Sequence, residues 1–218
     1  MPGARGRRHP FADERETGAA ARGPDGACAT ARAGLKWRSR PGAASMPVLR
    51  TYIALLRAVN VGGTGKLPMA DLRAMCEALG FQDVRTYIAS GNVVFRTGLS
   101  EAKAKAALED ALRDYAGKPV GAVLRTAQDM AAALAANPFA DAAPNRAVLI
   151  FLDAPPPADA LDAVKHRKDE QIALGAREIY VHYGEGMADS RLVVPAAKAG
   201  TARNLNTVAK LIEMAAGQ

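Results

Sequence analysis

Three short polar clusters hold most of the side chains able to do chemistry in this sequence. They are Arg57-Ala58-Val59-Asn60-Val61-Gly62-Gly63, Ile88-Ala89-Ser90-Gly91-Asn92 and Thr201-Ala202-Arg203-Asn204-Leu205-Asn206-Thr207. Each is richer in Asn, Gly and Arg than a packed core requires. Glycines let a backbone approach a ligand closely, amides at a helix start point at negative charge, and Arg or Lys supplies countercharge. The chemistry implied is capture of an anion, and the candidate ligand-binding residues are Arg57, Asn60, Gly62, Gly63, Lys66, Ser90, Asn92, Arg203, Asn204, Asn206 and Thr207. No nucleophile with its base, no metal-ligand set and no complete cofactor motif accompanies them. The sequence therefore names neither a cofactor nor a reaction.

The first cluster invites comparison with a phosphate loop, because strand, glycine-rich turn, lysine and helix follow one another. A Walker motif around Gly65-Lys66 would need glycine at position 60 and Ser or Thr at 67, where this chain has Asn60 and Leu67. Gly63-Thr64-Gly65 also lacks the third glycine of a dinucleotide fingerprint, since position 68 is proline. A tight strand-to-helix connection, with Asn60 bonding the loop, explains the same residues without a ligand. A hairpin turn does the same for Ser90-Gly91-Asn92. In the third cluster Asn204 reads as an N-cap with Thr207 in the first turn. Arg203 beside Asn204 and Asn206 is left over, and an arginine with two amides at a helix start suits a carboxylate or phosphate. His9 lies in the N-terminal extension, His166 in a charged run over 165–170 that reads as a solvated loop, and a surface or satisfied role fits His182 better than that of a general base.

The elements that must position these clusters are short and well punctuated. An apolar strand over 51–56 leads through the glycine-rich loop to a helix that starts at Pro68 and ends at Gly80. Runs 84–88 and 92–96 form a hairpin, and a helix over 100–115 carries Ala104, Ala107, Leu108, Ala111, Leu112 and Tyr115 on one stripe. A strand over 120–125 completes a βαββαβ unit, the ferredoxin-like arrangement, and a helix near 127–136 follows. The order then recurs: strand 147–152, a turn at Pro155-Pro156-Pro157, a helix through Val164, strands at 171–174 and 178–183, helical segments after Ser190, and a final helix from about Asn204 to Ala216. The expected fold class is α+β, with two ferredoxin-like (βαββ-type) lobes, about 46–126 and 127–218, whose helices pack on antiparallel sheets.

Composition bounds the partners. The 29 Lys and Arg against 22 Asp and Glu give a net charge of +7, but residues 1–45 carry nine basic against four acidic residues, leaving 20 against 18 beyond them. A nearly neutral folded part speaks against nucleic acid as its partner. Residues 1–45, dominated by Arg, Ala, Gly and Pro, lack the apolar residues to offset ordering entropy, and read as a disordered basic extension or a leader before a natural start at Met46. They fit neither a secretory nor a twin-arginine signal. No apolar run approaches bilayer length, so no membrane partner is expected. Cys76 shares a helical face with Leu72, Met75 and Leu79 and reads as a small core residue; Cys28 lies in the extension. Two cysteines without a framework fit a reducing cytoplasm.

Several segments together carry a family resemblance: Tyr52-Ile53-Ala54-Leu55-Leu56-Arg57 into Asn60-Val61-Gly62-Gly63, Lys66-Leu67-Pro68-Met69, Leu72, Leu79-Gly80-Phe81, Thr86-Tyr87-Ile88, Ser90-Gly91-Asn92-Val93, and the distal Arg203-Asn204 with Asn206-Thr207-Val208. In these the chain resembles the bacterial domain-of-unknown-function family numbered 1697, over nearly all of 46–218. The resemblance implies a small protein of ferredoxin-like α+β lobes beginning near Met46, and carries no activity with it. Two departures stand out: Ala58 where the family usually has glycine, and Leu205 where it often has tryptophan.

Two hypotheses of different class follow. In the first, the lobes form a small-molecule site, with or without turnover, where Arg57, Asn60, Lys66, Arg203, Asn204 and Asn206 hold an anionic ligand such as a phosphorylated one. It requires the loop after the first strand and the start of the last helix to face one cleft. In the second, an open ferredoxin-like sheet presents Tyr52, Tyr87, Phe95 or Tyr180 to RNA or to a protein.

Overall fold

The computed structural model describes residues 48–60 and 66–217. Gly62, Gly63 and the extension over 1–45 lie outside the described residues. The first lobe runs β1 (Arg50–Leu56), α1 (Met69–Ala78), β2 (Gln82–Tyr87), β3 (Asn92–Thr97), α2 (Glu101–Ala116) and β4 (Ala122–Thr126), followed by α3 (Ala127–Ala135). The second runs β5 (Ala147–Phe151), β6 (Gln171–Leu174), β7 (Glu178–His182), a short 3-10 helix Pro195–Ala199, β8 (Thr201–Asn204) and α4 (Leu205–Ala216). The sheets have the orders β2-β3-β1-β4 and β6-β7-β5-β8, antiparallel throughout. In each the first strand of the lobe sits between the third and the fourth, the ferredoxin-like order.

Alternation along β1 divides its residues between two cores, because successive side chains of a strand point to opposite faces. Tyr52, Ala54 and Leu56 join Leu72 and Cys76 of α1 and Leu108 and Leu112 of α2. Ile53 and Leu55 face the other way, into a core shared with Met130 of α3, Val208 and Leu211 of α4, and Leu149, Phe151 and Tyr180 of the second sheet. The layers are α1 and α2, first sheet, α3 with α4, second sheet. The outer face of the second sheet is covered by Val164, Leu192, Val194 and Ala196 from loops and the 3-10 turn. Tyr52, Phe95 and Tyr180 are buried in these cores, so no open sheet face among the described residues offers them for stacking.

The second lobe corrects the repeat expected from sequence. Residues 158–163 form turns rather than a helix, and the segment after Ser190 yields only the 3-10 helix. Three consecutive prolines remove backbone donors and bias the chain away from helix, so the covering layer there is loop. Strand β8, absent from the sequence reading, pairs along β5 from Val148↔Asn204 to Phe151↔Thr201. Thr201-Ala202-Arg203-Asn204 has little strand propensity of its own, and its conformation comes from β5.

No helix among the described residues is long and apolar enough to cross a membrane. Nor does any group of three or more His, Cys, Asp or Glu stand close enough to hold a metal there.

Candidate functional site

The three polar clusters do meet, and they meet largely by bonding one another. Asn60, at φ +56°, donates through Nδ2 to Leu67 O at 3.0 Å and Ala89 O at 2.7 Å, while its Oδ1 accepts from Leu67 N at 2.8 Å. One amide thus staples both ends of the loop after β1 to the β2–β3 hairpin. Asn92 is fully buried and donates to Tyr87 O at 3.0 Å and Ser90 Oγ at 2.9 Å. Gly91 closes this corner at φ +76°, where a Cβ would stand 2.4 Å from Val59 Cγ2 and 2.8 Å from Leu56 Cβ. Only glycine fits there.

Arg203 ties the third cluster to the other two. Its Nε donates to Asn92 Oδ1 at 2.5 Å, Nη1 to Thr201 Oγ1 at 2.7 Å and Ala202 O at 2.8 Å, and Nη2 to Leu56 O and Ser90 O, both at 3.0 Å. Those bonds use every guanidinium N–H. Among the described residues no carboxylate pairs with it, and burial pulls its pKa down to about 10. Its charge persists at neutral pH, and in a low-dielectric setting it raises the local potential. Asn204 caps α4, its Oδ1 accepting from Thr207 N at 2.8 Å. Thr207 is buried, and Asn206 is exposed on α4. None of these three lines the cleft described next.

A cleft of about 1060 Å³ opens beside this junction, between residues 57–59 and 66–67 after β1, the C-terminal half of α2 and the 3-10 turn. Arg57 and Lys66 line it, with Lys198, Gly121 and Gly200, and with Leu67, Leu112 and Val120 as an apolar part of the wall. Arg57 donates through Nη2 to Lys198 O at 2.9 Å, and its Nε is buried without a hydrogen-bond partner among the described residues. The guanidinium lies over Gly121, where a Cβ would stand 3.0 Å from Arg57 Cδ and 3.2 Å from Nη1. Gly121 makes the room that Arg57 occupies.

The acidic groups in the wall are engaged. Asp110 pairs with Arg113 at 2.8 Å, and Glu109 accepts from Ala122 N at 2.9 Å with Lys105 Nζ at 3.7 Å. Lys66 and Lys198 are exposed and have no side-chain partner among the described residues. Lys198, supplied by the second lobe, carries no sequence signal of its own: it belongs to no polar cluster and reaches the cleft only because β8 pairs with β5. Positive φ recurs around the junction, with Ala58 in the cleft wall at φ +49° and Ile88 in the β2–β3 hairpin at φ +47° besides Asn60. Alanine and isoleucine in the left-handed region cost about 1–2 kcal/mol each.

Fold and geometry define an α+β protein of two ferredoxin-like lobes with a basic cleft at their junction. The family model described as "protein of unknown function (DUF1697)" matches residues 49–180, and the chain belongs to that family. The matched span ends within β7, short of the Arg203–Thr207 cluster. A solved structure, that of a conserved bacterial protein from Streptococcus pneumoniae, is similar with a TM-score of 0.63 at 25% identity, covering 77% of this chain and 99% of its own. A search of curated proteins gives no match.

Proposed function

We propose that the protein binds a small anionic ligand, of which phosphorylated molecules are the leading class, in the cleft beside the lobe junction. Arg57, Lys66 and Lys198 supply the countercharge. The observation that carries this reading is the charge balance of the wall: its carboxylates already have donors, whereas the Lys66 and Lys198 ammonium groups have no partner among the described residues. Two unneutralised ammonium groups and a guanidinium around one concavity attract anions, and the buried Arg203, one peptide beyond Arg57 through Leu56 O, adds to the field. In this role Asn60, Ser90, Asn92, Arg203 and Asn204 hold the frame, while Arg57 and Lys66 contact the ligand.

The test is calorimetric titration of the full chain with inorganic phosphate, ribose 5-phosphate and a dicarboxylate, beside a Lys66→Ala, Lys198→Ala double variant. The native protein should bind at least one anion, with affinity falling as salt rises, and the variant should lose about tenfold or more, since each charge-assisted bond contributes about 1.5–3 kcal/mol. Absence of any anion binding, or equal affinity in the variant, would overturn the proposal.

A further inference from the structure

The anionic end accounts for only part of the cleft. Its volume of about 1060 Å³ is at the upper end of the roughly 300–1000 Å³ typical of sites for whole organic molecules, far more than a bare phosphate fills. The other part of the wall comes from the last turn of α2 and the segment beyond it, where Leu112, Pro119 and Val120 give an apolar surface. Tyr115 stands in that wall at 49% exposure, though it lies on the stripe that includes the buried Ala104, Leu108 and Leu112. Its hydroxyl donates to Asp71 Oδ2 in the first turn of α1 at 2.6 Å. That bond ties the ring to a second helix, and it holds the phenol protonated, with its pKa raised chiefly by the hydrogen bond to Asp71. A tyrosine ring presented to a cleft and fixed at its far end is a stacking surface whose orientation needs no reorganisation on binding.

Building on the anion-binding reading, we infer that the cleft takes a phosphate ester bearing a planar ring, with the phosphate at Arg57, Lys66 and Lys198 and the ring against Tyr115. Stacking of a base on an aromatic side chain contributes about 1–3 kcal/mol, enough to favour a ring-bearing ester over its ringless counterpart by about tenfold. The shape of the selectivity is specific: Lys66 and Lys198 act on every phosphate compound alike, and Tyr115 acts only on those with a ring.

The experiment compares adenosine 5'-monophosphate, ribose 5-phosphate and inorganic phosphate by calorimetry on the full chain, in native protein, Tyr115→Leu and Tyr115→Phe. Native protein should prefer the nucleotide over ribose 5-phosphate by about tenfold. Tyr115→Leu should bring that ratio to about one, and Tyr115→Phe, which keeps the ring but not the tie to Asp71, should retain at least a third of it. The phenylalanine variant also separates ring loss from any effect of untying α1 from α2. Equal binding of nucleotide and ribose 5-phosphate in native protein, or an unchanged ratio in Tyr115→Leu, would overturn the ring-stacking inference and leave anion binding standing. Binding of none of the three would overturn the inference, and with no dicarboxylate binding either the anion-binding reading as well.

Discussion

The two lobes place equivalent residues in equivalent positions and then treat their charges differently. Arg125 on β4 faces Ile53 of β1, and Arg203 on β8 faces Leu149 of β5. Each is followed by the cap of a helix, Thr126 for α3 and Asn204 for α4. Each reaches across the junction to a carbonyl at or just past the end of the other lobe's first strand: Arg125 to Leu152 O, Arg203 to Leu56 O. The polar group nearest Nε comes in both cases from the other lobe's third strand, opposite Phe151 on one side and Leu55 on the other, although Arg125 Nε makes no hydrogen bond among the described residues. There the symmetry breaks. Arg125 meets the Glu178 carboxylate at 3.7 Å, whereas Arg203 meets the Asn92 amide at 2.5 Å. One buried cation has a carboxylate beside it and the other, among the described residues, has none, and the latter adjoins the basic cleft. The same framework serves as a lock on one side and as a source of positive potential on the other.

Arg125→Met should have the largest effect on stability. It leaves Glu178, itself 5% exposed, as a buried charge without its cation, at a cost of about 3–5 kcal/mol. Arg203→Met strands only neutral acceptors and should cost less, about 1–3 kcal/mol. Urea unfolding of both variants ranks them; an equal or inverted order would break the distinction drawn between the lobes. Adding Glu178→Leu to Arg125→Met should recover part of the loss.

The first lobe alone keeps its helical cover, and with it Cys76, whose thiol burial pushes up from 9.0 to about 12. The thiol is neutral in both states below pH 9; above it the unfolded chain ionises and the folded one does not. Its contribution is therefore fully present below pH 9.0 and is lost as pH rises towards about 12, at about 1.4 kcal/mol per pH unit. Stability measured from pH 8 to 10.5 should fall less steeply in Cys76→Ala than in the native chain.

Asn92→Asp would give Arg203 the carboxylate that Arg125 already has. Affinity for inorganic phosphate should drop about threefold to tenfold without any change in a group lining the cleft, through lost potential alone. Unchanged affinity would show that Arg203 is only a clamp. The smallest effects lie at the caps. Thr126 joins Asp129 in a full capping box, while Asn204 makes one cap bond, so Thr126→Ala should cost about 1–2 kcal/mol and Asn204→Ala about 1 kcal/mol by thermal unfolding.

Much of this was legible from the chain. The 3.6-residue stripe of α2 and the apolar run of β1 follow from local sequence, and with them the first lobe's order. The caps at Asn204 and the hairpin glycine at 91 could be read because each answers a need of the nearby backbone. The second lobe was harder: its covering layer is turns, and β8 becomes a strand only on meeting β5.

The site divides along the same line. Sequence alone determined that Arg57, Asn60, Asn92 and Arg203 are unusual, because polar residues of that density at turns have no core role. Only the tertiary structure decided which of them remain available. Arg203 and Asn92 turn inward and satisfy each other, and Lys198, in no motif, joins Arg57 and Lys66 around an open cleft. Local propensity is set within a few residues, whereas the partner of a charge is set by what the fold brings beside it. Arg203 and Leu56, 147 positions apart in the chain, are 3.0 Å apart in the fold.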